Sequence, residues 1–365
     1  MFFLIICVFF SALLIVCFSI KKIIYVANKC HLFDNPNEIR KVHLDNIPNL
    51  GGVAMYITII ACAAIFASYY PIPKINYIFV ASIIIFTLGL TDDLVGVDPK
   101  KKFFAQFIAS LTTTVIANIR FTSFYGIFGI GEIPYGLSII LTVLFIIFLI
   151  NAFNLIDGIN CLAGGVALLA NIVFAICFWQ MHQLGFMLLA VTICGVLIGF
   201  LFYNKTPAKI FMGDTGSLSL GFVMAIFSIN FIESNYAISL VHKSVFSSAA
   251  VIILGLLIIP IFDALRVFTL RILNGKSPFD ADRNHIHHRL LDLNFTHLQA
   301  TATLLVINIL FIIIVFFFNN LGNEKLLCII IFITLLLNGS SWLLLNKKNN
   351  KSNNYDIVSE TLVAE

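Results

Sequence analysis

The run "LTVLFIIFLINAFNLIDG", Leu141 to Gly158, decides the fold class. Its first ten residues have no polar face at helical spacing, so a helix built from them stands among lipid or other apolar side chains. The run then meets Asn151, Asn154 and Asp157, three polar side chains spaced three apart. If the helix continues, they line one stripe at its end. Gly158 can then break it. A stripe of this kind suggests a ligand-facing edge, and an ordinary helix stop with Asn and Gly fits the same residues.

The rest of the chain repeats the pattern. Of its 365 residues, 60% are hydrophobic and 11% charged, against about 25% charged in soluble domains. Apolar runs near 20 residues match a hydrocarbon core of about 30 Å. The expected fold is an all-α polytopic membrane protein with about 11 transmembrane helices, over 2–20, 50–70, 76–91, 103–118, 137–154, 160–178, 185–203, 216–234, 247–268, 299–318 and 326–345. One integral-membrane catalytic domain is expected over 1–346, with a polar, disordered cytoplasmic tail over 347–365. The start, "MFFLIICVFFSALLIVCFSIKK", has no positive n-region and no A-x-A site, which reads as a retained first span rather than a signal peptide. The eight cysteines form no CxxC pair, so neither a zinc site nor a disulfide framework is indicated.

Alternating the loops sorts the charges. Of the 22 Lys and Arg, all but Lys74, Arg120, Lys243 and Lys325 fall in one set of loops or at its margin. The positive-inside rule makes that set cytoplasmic, with the N-terminus outside and the C-terminus inside. Every aspartate lies on or next to the same side, as do His43, His285, His287, His288 and His297. A purely structural bundle has no reason to sort Asp and His in this way.

Four constellations follow from this sorting. Asp92 and Asp93 end the third span, and two adjacent carboxylates repel unless a positive group sits beside them. A divalent ion such as Mg²⁺ suits such hard oxygen donors, and a helix end with solvated acids is the alternative. Lys100, Lys101 and Lys102 follow, as topology markers or as phosphate attractors. The second constellation is Asn151-Asn154-Asp157. The third is "NKTPAKIFMGDTGSLSLGF", Asn204 to Phe222, where glycines allow close approach of backbone and the next helix start offers N–H groups for phosphate. Asp214 there fits either a second ligand to the metal or a plain N-cap. The fourth is "SPFDADRNHIHHRLLDLNFTH", whose histidines lie among Arg283 and Arg289, which favours phosphate over a transition metal. Asp263 and Arg266 read as an i,i+3 ion pair. Together these groups point to Mg²⁺-assisted phosphoryl transfer at the cytoplasmic surface, between a membrane lipid and a soluble phosphorylated compound.

Other classes fit less well. "NGKS" has Leu270 where a Walker A motif needs glycine. "DTGS" also occurs in aspartyl proteases, but those of the membrane type use G-x-G-D within a span, and position 211 is Phe. A secondary transporter would carry its ionisable residues mid-span, whereas here they cluster at span ends.

The motifs "TDD", "NAFNLIDG", "FMGDTGSL" and "DRNHIHHRL", in this order, resemble those of the polyprenyl-phosphate N-acetylhexosamine-1-phosphate transferases, glycosyltransferase family 4. The resemblance runs from "RKVHLDNIPNLGG" to "NHIHHRLL". It implies a bacterial cytoplasmic-membrane enzyme that moves a sugar 1-phosphate from a UDP-N-acetylhexosamine to undecaprenyl phosphate and releases UMP. The loop "SPFDADRNHIHHRLL" is similar to the branch that uses UDP-N-acetylglucosamine for O-antigen, enterobacterial antigen or teichoic acid linkage, and lacks the "PIHHHFE" of the branch that transfers phospho-N-acetylmuramoyl-pentapeptide. By the same resemblance Asp92 and Asp93 sit beside the lipid phosphate and the metal, and one deprotonates that phosphate. Asp214 is a direct Mg²⁺ ligand, with Asp93 and Asn154 beside it in the metal set, and Mn²⁺ is the substitute ion. Asp157 and Asn154 line the cleft, while Asn204 and Phe211 contact uracil. His285, His287 and His288 hold the diphosphate, and Arg283 meets the N-acetylhexosamine. Asn160 and Cys161 stand where many members have an acid and a glycine, so Asn160 is given only a polar contact. The implied partners are these two substrates and the lipid bilayer, with a homodimer as the candidate assembly and no nucleic acid.

Overall fold

The computed structural model describes residues 1–30, 32, 47–67, 69–241, 245–273, 275 and 285–339. His43, Arg283 and the expected tail lie outside the described residues. The chain folds as α1 (Phe2–Cys30), α2 (Gly51–Phe66), α3 (Ile75–Val95), α4 (Pro99–Leu111) with a π-turn over Thr112–Ile116, α5 (Tyr135–Ile156), α6 (Leu162–Gln180), α7 (Leu184–Asn204), α8 (Gly213–Ser239), α9 (Ala249–Leu256), α10 (Ile258–Leu273), α11 (Ile286–Asp292) and α12 (His297–Phe317). Residues 323–339 form a last helix, α13. Among the described residues there is no strand, only an isolated bridge between Ser123 and Glu132.

Seven of these helices are long and apolar enough to cross a membrane, and the bent α9–α10 pair makes an eighth if it counts as one span. The chain is thus an all-α multi-pass membrane protein. Each of the eleven expected segments meets helix, the eleventh as far as residue 339 where the described residues end, but α2 has only 16 residues. At 1.5 Å per residue α2 reaches only about 24 Å, short of a hydrocarbon core of about 30 Å.

The ninth expected span is broken rather than continuous. Pro260 has no N–H, and its ring crowds the carbonyl of Leu256 one turn earlier. The helix bends by 77° between α9 and α10. The freed Leu256 carbonyl accepts instead from Nδ2 of Asn308, buried on α12, at 3.1 Å. A backbone group exposed by the break is thereby satisfied inside the bundle, as an apolar surrounding requires.

α7 and α8 form the centre, with 83% of the apolar window of each buried, against 22% for α1. α8 packs on α2, α3 and α5. Small residues make this approach close: a Cβ on Gly52 would lie 2.1 Å from the Gly216 amide nitrogen, and one on Gly89 would lie 2.5 Å from Cα of Thr215. The start of α8 therefore sits directly against the entry of α2 and the last turns of α3. At the far end of α8, Glu233 accepts from the Thr122 amide at 2.7 Å, from Thr122 Oγ1 at 2.9 Å and from the Tyr125 hydroxyl. That end is tied to the loop between α4 and α5, and the cluster of acids lies at the other.

Candidate active site

The short segment before α8 is zipped to the segment before α2. Phe211 N donates to Pro48 O at 2.9 Å, Gly51 N to Phe211 O at 3.0 Å and Gly52 N to Met212 O at 2.9 Å. Gly213 then turns at φ +70, a conformation costly for side-chain-bearing residues. This turn aims the first amides of α8 at α3. Asp93 meets them: Oδ1 accepts from Asp214 N at 2.7 Å, and Oδ2 accepts from Thr215 N at 2.9 Å and Thr215 Oγ1 at 2.5 Å.

Asp93 is therefore a capping carboxylate for α8, supplied by another helix. It fills the positive end of the helix dipole. The amides that the sequence offered to a phosphate are already taken by this side chain. Asp214 is not the N-cap, since its own backbone N–H is one of those donated to Asp93. Its side chain is left for other work.

That side chain gathers the remaining elements. Asp214 Oδ1 accepts from Asn154 Nδ2 at 2.9 Å, and Oδ2 accepts from Lys102 Nζ at 3.0 Å. Lys102 also pairs with Asp92 Oδ2. Asp92 Oδ1 accepts from Val97 N at 2.7 Å, which closes the turn between α3 and α4. Burial pushes the Lys102 ammonium down, but Asp214 and Asp92 more than reverse this and its pKa is raised. It stays charged between two carboxylates from different helices. A divalent ion would find the same hard oxygen donors there. Among the described residues no three His, Cys, Asp or Glu side chains close into a metal cage.

The stripe at the end of α5 is real but divides its work. Asn151 Nδ2 bonds Gln106 Oε1 at 2.8 Å and Ile147 O at 2.7 Å, a contact that ties α4 to α5. Asn154 spends its amide on Asp214 and Ser217, leaving Oδ1 as the atom it can offer a metal. Asp157 sits one residue past the helix, half-buried; its backbone N–H donates to Asn154 O at 3.3 Å, and its carboxylate accepts no hydrogen bond from the described residues. Burial and the charges of Asp214 and Asp93 push its carboxyl well above the usual carboxylate range.

The histidine loop closes on the same place. His287 is buried and packs on Gly158, where an added Cβ would lie 2.4 Å from Nε2. Neither of its ring nitrogens has a hydrogen-bond partner among the described residues. Burial and the neighbouring His288 push its pKa down to about 3, so the ring is neutral. The His285 and His287 rings are near-parallel with centroids 5.5 Å apart, and His288 is 4.3 Å from His287.

Asn204 and Asn160 both bond to groups of the protein itself. Asn204 is buried, accepting from Cys161 N at 2.7 Å and donating to Ile210 O at 2.9 Å, so it staples the loops around it. Asn160 bonds Thr206 Oγ1 at 3.0 Å, and its carbonyl accepts from Thr301 Oγ1 at 2.8 Å. Phe211 lies half-buried beside that staple. Lys102 as a bridge, rather than one of three loop lysines, was missed. Asp98 with Pro99 next to it starts α4 by accepting from Lys100 N at 2.8 Å. That cap marks a new helix whose first turn carries Lys102, a sequence signal that could have found it.

The sequence profile of glycosyl transferase family 4 matches residues 75–232. A "Probable undecaprenyl-phosphate N-acetylglucosaminyl 1-phosphate transferase" of Bacillus subtilis is 34% identical to the chain, over 78% of it and 77% of the relative. The chain belongs to this family. A decaprenyl-phosphate N-acetylglucosaminephosphotransferase of Mycobacterium leprae is 30% identical over 79% of the chain and 77% of its own length. An undecaprenyl-phosphate alpha-N-acetylglucosaminyl 1-phosphate transferase of Salmonella typhi is 30% identical over 75% and 73%. The family match spans α3 through most of α8, the elements that carry Asp92, Asp93, Lys102, Asn154, Asp157 and Asp214. The histidine loop lies beyond it and is reached by packing on Gly158.

Proposed function

We propose that the chain transfers N-acetylglucosamine 1-phosphate from its UDP-sugar to undecaprenyl phosphate, releasing UMP and leaving undecaprenyl-diphospho-N-acetylglucosamine. The observation that carries this reading is the meeting of Asp92, Asp214 and Lys102 at the ends of α3, α8 and α4, beside Asp157 and a His287 ring whose nitrogens have no hydrogen-bond partner among the described residues. Acidic oxygens for a metal, a cation for phosphate and a neutral imidazole are what diphosphate chemistry uses. The names of the relatives supply the substrate class. The phospho-N-acetylmuramoyl-pentapeptide reading is disfavoured by the loop sequence, and a transporter is disfavoured by acids at helix ends.

The reaction needs a lipid phosphate oxygen to attack the β-phosphorus in line with the bond to UMP. Polyprenyl phosphate carries its headgroup at the membrane surface, where the cytoplasmic ends of α3 and α5 would meet it. With the N-terminus outside, as the sorting of Lys and Arg implies, the site would lie on the cytoplasmic face of a bacterial inner membrane. Asp93's oxygens are engaged on α8, so the role of proton acceptor for the lipid phosphate falls to Asp92. Lys102 leaves its carboxylates to follow phosphate charge. His285, His287 and His288 orient the diphosphate, Arg283 meets the sugar, and Phe211 meets uracil. Asp214 would hold Mg²⁺, or Mn²⁺ in its place, with Asn154 Oδ1 and Asp92 nearby. Such an ion, when bound, neutralises charge on the diphosphate and the leaving UMP.

The test is UMP release by purified protein given undecaprenyl phosphate, Mg²⁺ and a panel of UDP-sugars. Chelator-sensitive release with UDP-N-acetylglucosamine is the expected result. Uptake of a UDP-sugar into vesicles without chemical change would overturn it.

A further inference from the structure

We infer that Asp263 is a positioning residue for the candidate site, acting through His285; the inference rests on the transferase reading above. The sequence made Asp263 half of an i,i+3 pair with Arg266. That pair exists, at 3.3 Å, but it is longer than the two contacts Asp263 makes with the histidine loop. Asp263 Oδ2 is 2.9 Å from His285 Nδ1, and Oδ1 accepts from Ile286 N at 2.8 Å. The carboxylate is fully buried. A buried carboxylate is costly unless its lone pairs are met by good donors, and here those donors come from the histidine loop, 22 and 23 residues further along the chain.

The chemistry of this contact sets a tautomer. A carboxylate can only accept, so His285 presents Nδ1–H to Asp263. The other nitrogen, Nε2, is then the atom left for a ligand, and it has no hydrogen-bond partner among the described residues. The Ile286 bond fixes the start of α11, and with it the plane of the His285 ring. That ring lies parallel to His287, whose edge rests on Gly158 next to Asp157. His287 keeps two enclosed ring nitrogens without partners among the described residues, and orphaned polar atoms of this kind persist where a ligand or water meets them. A line of contacts therefore runs from α10, after the Pro260 bend, through Asp263 and His285 to His287 and the end of α5. Asp263 does not touch the reacting groups. It fixes which nitrogen of His285 faces them and where.

A double-mutant cycle separates this role from simple scaffolding. Asp263→Asn, His285→Gln and the double variant would be compared by UMP release at varied UDP-sugar and varied polyprenyl phosphate. Asp263→Asn is expected to raise KM for the UDP-sugar about tenfold or more, with KM for the lipid phosphate within about twofold of wild type. Added to His285→Gln, it is expected to cost less than about twofold further. Full additivity, or an equal rise in both KM values, overturns the inference. Nitrogen-15 histidine NMR on the wild-type chain, assigned with His285→Gln, gives a reading that needs no Asp263 variant to fold. A His285 signal from the Nδ1–H form, or the doubly protonated ring, supports the inference, and the Nε2–H tautomer overturns it. A wild-type chain that releases no UMP defeats the transferase reading, while the tautomer still decides the Asp263 contact.

Discussion

Replacing Asp93 by Asn distinguishes a helix-capping carboxylate from one that serves the reacting groups. In the structure its two oxygens meet three donors, the amides of Asp214 and Thr215 and the Thr215 hydroxyl. Asparagine keeps one carbonyl oxygen, which satisfies at most two donors, and its own N–H groups face the third. One buried donor left without a partner costs about 1–3 kcal/mol. Loss of the negative charge at the start of α8 adds about 0.3–1 kcal/mol. The expected cost is about 2–3 kcal/mol for Asp93→Asn, and about 3–5 kcal/mol for Asp93→Ala, which loses all three bonds. At roughly 2–4 °C per kcal/mol, Asp93→Asn lowers the apparent unfolding midpoint by about 5–10 °C. Turnover falls with it, because the Asp214 backbone that Asp93 holds carries the side chain bonded to Lys102 and Asn154. Asp92→Asn is the control, since Lys102 keeps Asp214 as partner, and its midpoint is expected to move by no more than about 2 °C. Thermal melts in detergent, run beside UMP release, give both numbers. An Asp93→Asn protein with a wild-type midpoint and no turnover would refute the capping account and place Asp93 among the reacting groups.

Two further outcomes follow from the same geometry. Asp157 has its carboxyl pKa raised by burial and by Asp214 and Asp93. A raised acid favours the folded state while it is protonated and loses that contribution as pH rises through the folded value. In chelator, the wild-type midpoint should therefore fall relative to Asp157→Asn between about pH 4, the ordinary aspartate value, and pH 8; parallel curves would contradict the shift. Lys102 occupies the place between Asp92 and Asp214, so Lys102→Met should lower the Mg²⁺ concentration for half-maximal UMP release several-fold while cutting turnover at saturation about tenfold, a barrier change of about 1.4 kcal/mol. A higher Mg²⁺ requirement in a titration would show that Lys102 helps to build the metal site instead of competing for it.

The sequence made the helices legible because apolar runs of membrane length have one stable form in lipid. The gathering of Asp92, Asn154 and Asp214 was legible too, through span ends and sidedness. What Asp93 does was not, because its donors lie on a helix start more than a hundred residues away. Two neighbouring carboxylates look alike in sequence, and only the turn at Gly213 decides which one faces α8. Asn204 was given a uracil contact by resemblance alone, and in the structure its side chain bonds backbone at Cys161 and Ile210. The break in the ninth span was written in the chain at Pro260. Length outweighed it, although Pro removes a helical bond wherever it falls in a helix interior. Asp263 was paired with Arg266 by spacing alone, and its partner His285 is reached only once α10 turns at that break.

The most direct test follows the β-phosphorus. UDP-N-acetylglucosamine labelled with ³²P at the β-position, incubated with the protein, Mg²⁺ and undecaprenyl phosphate, is separated into lipid and aqueous phases. The account predicts label in the lipid and unlabelled UMP in water, since the bond broken lies between the two phosphorus atoms. Label retained in water as UDP, with sugar alone carried into the lipid, would contradict it.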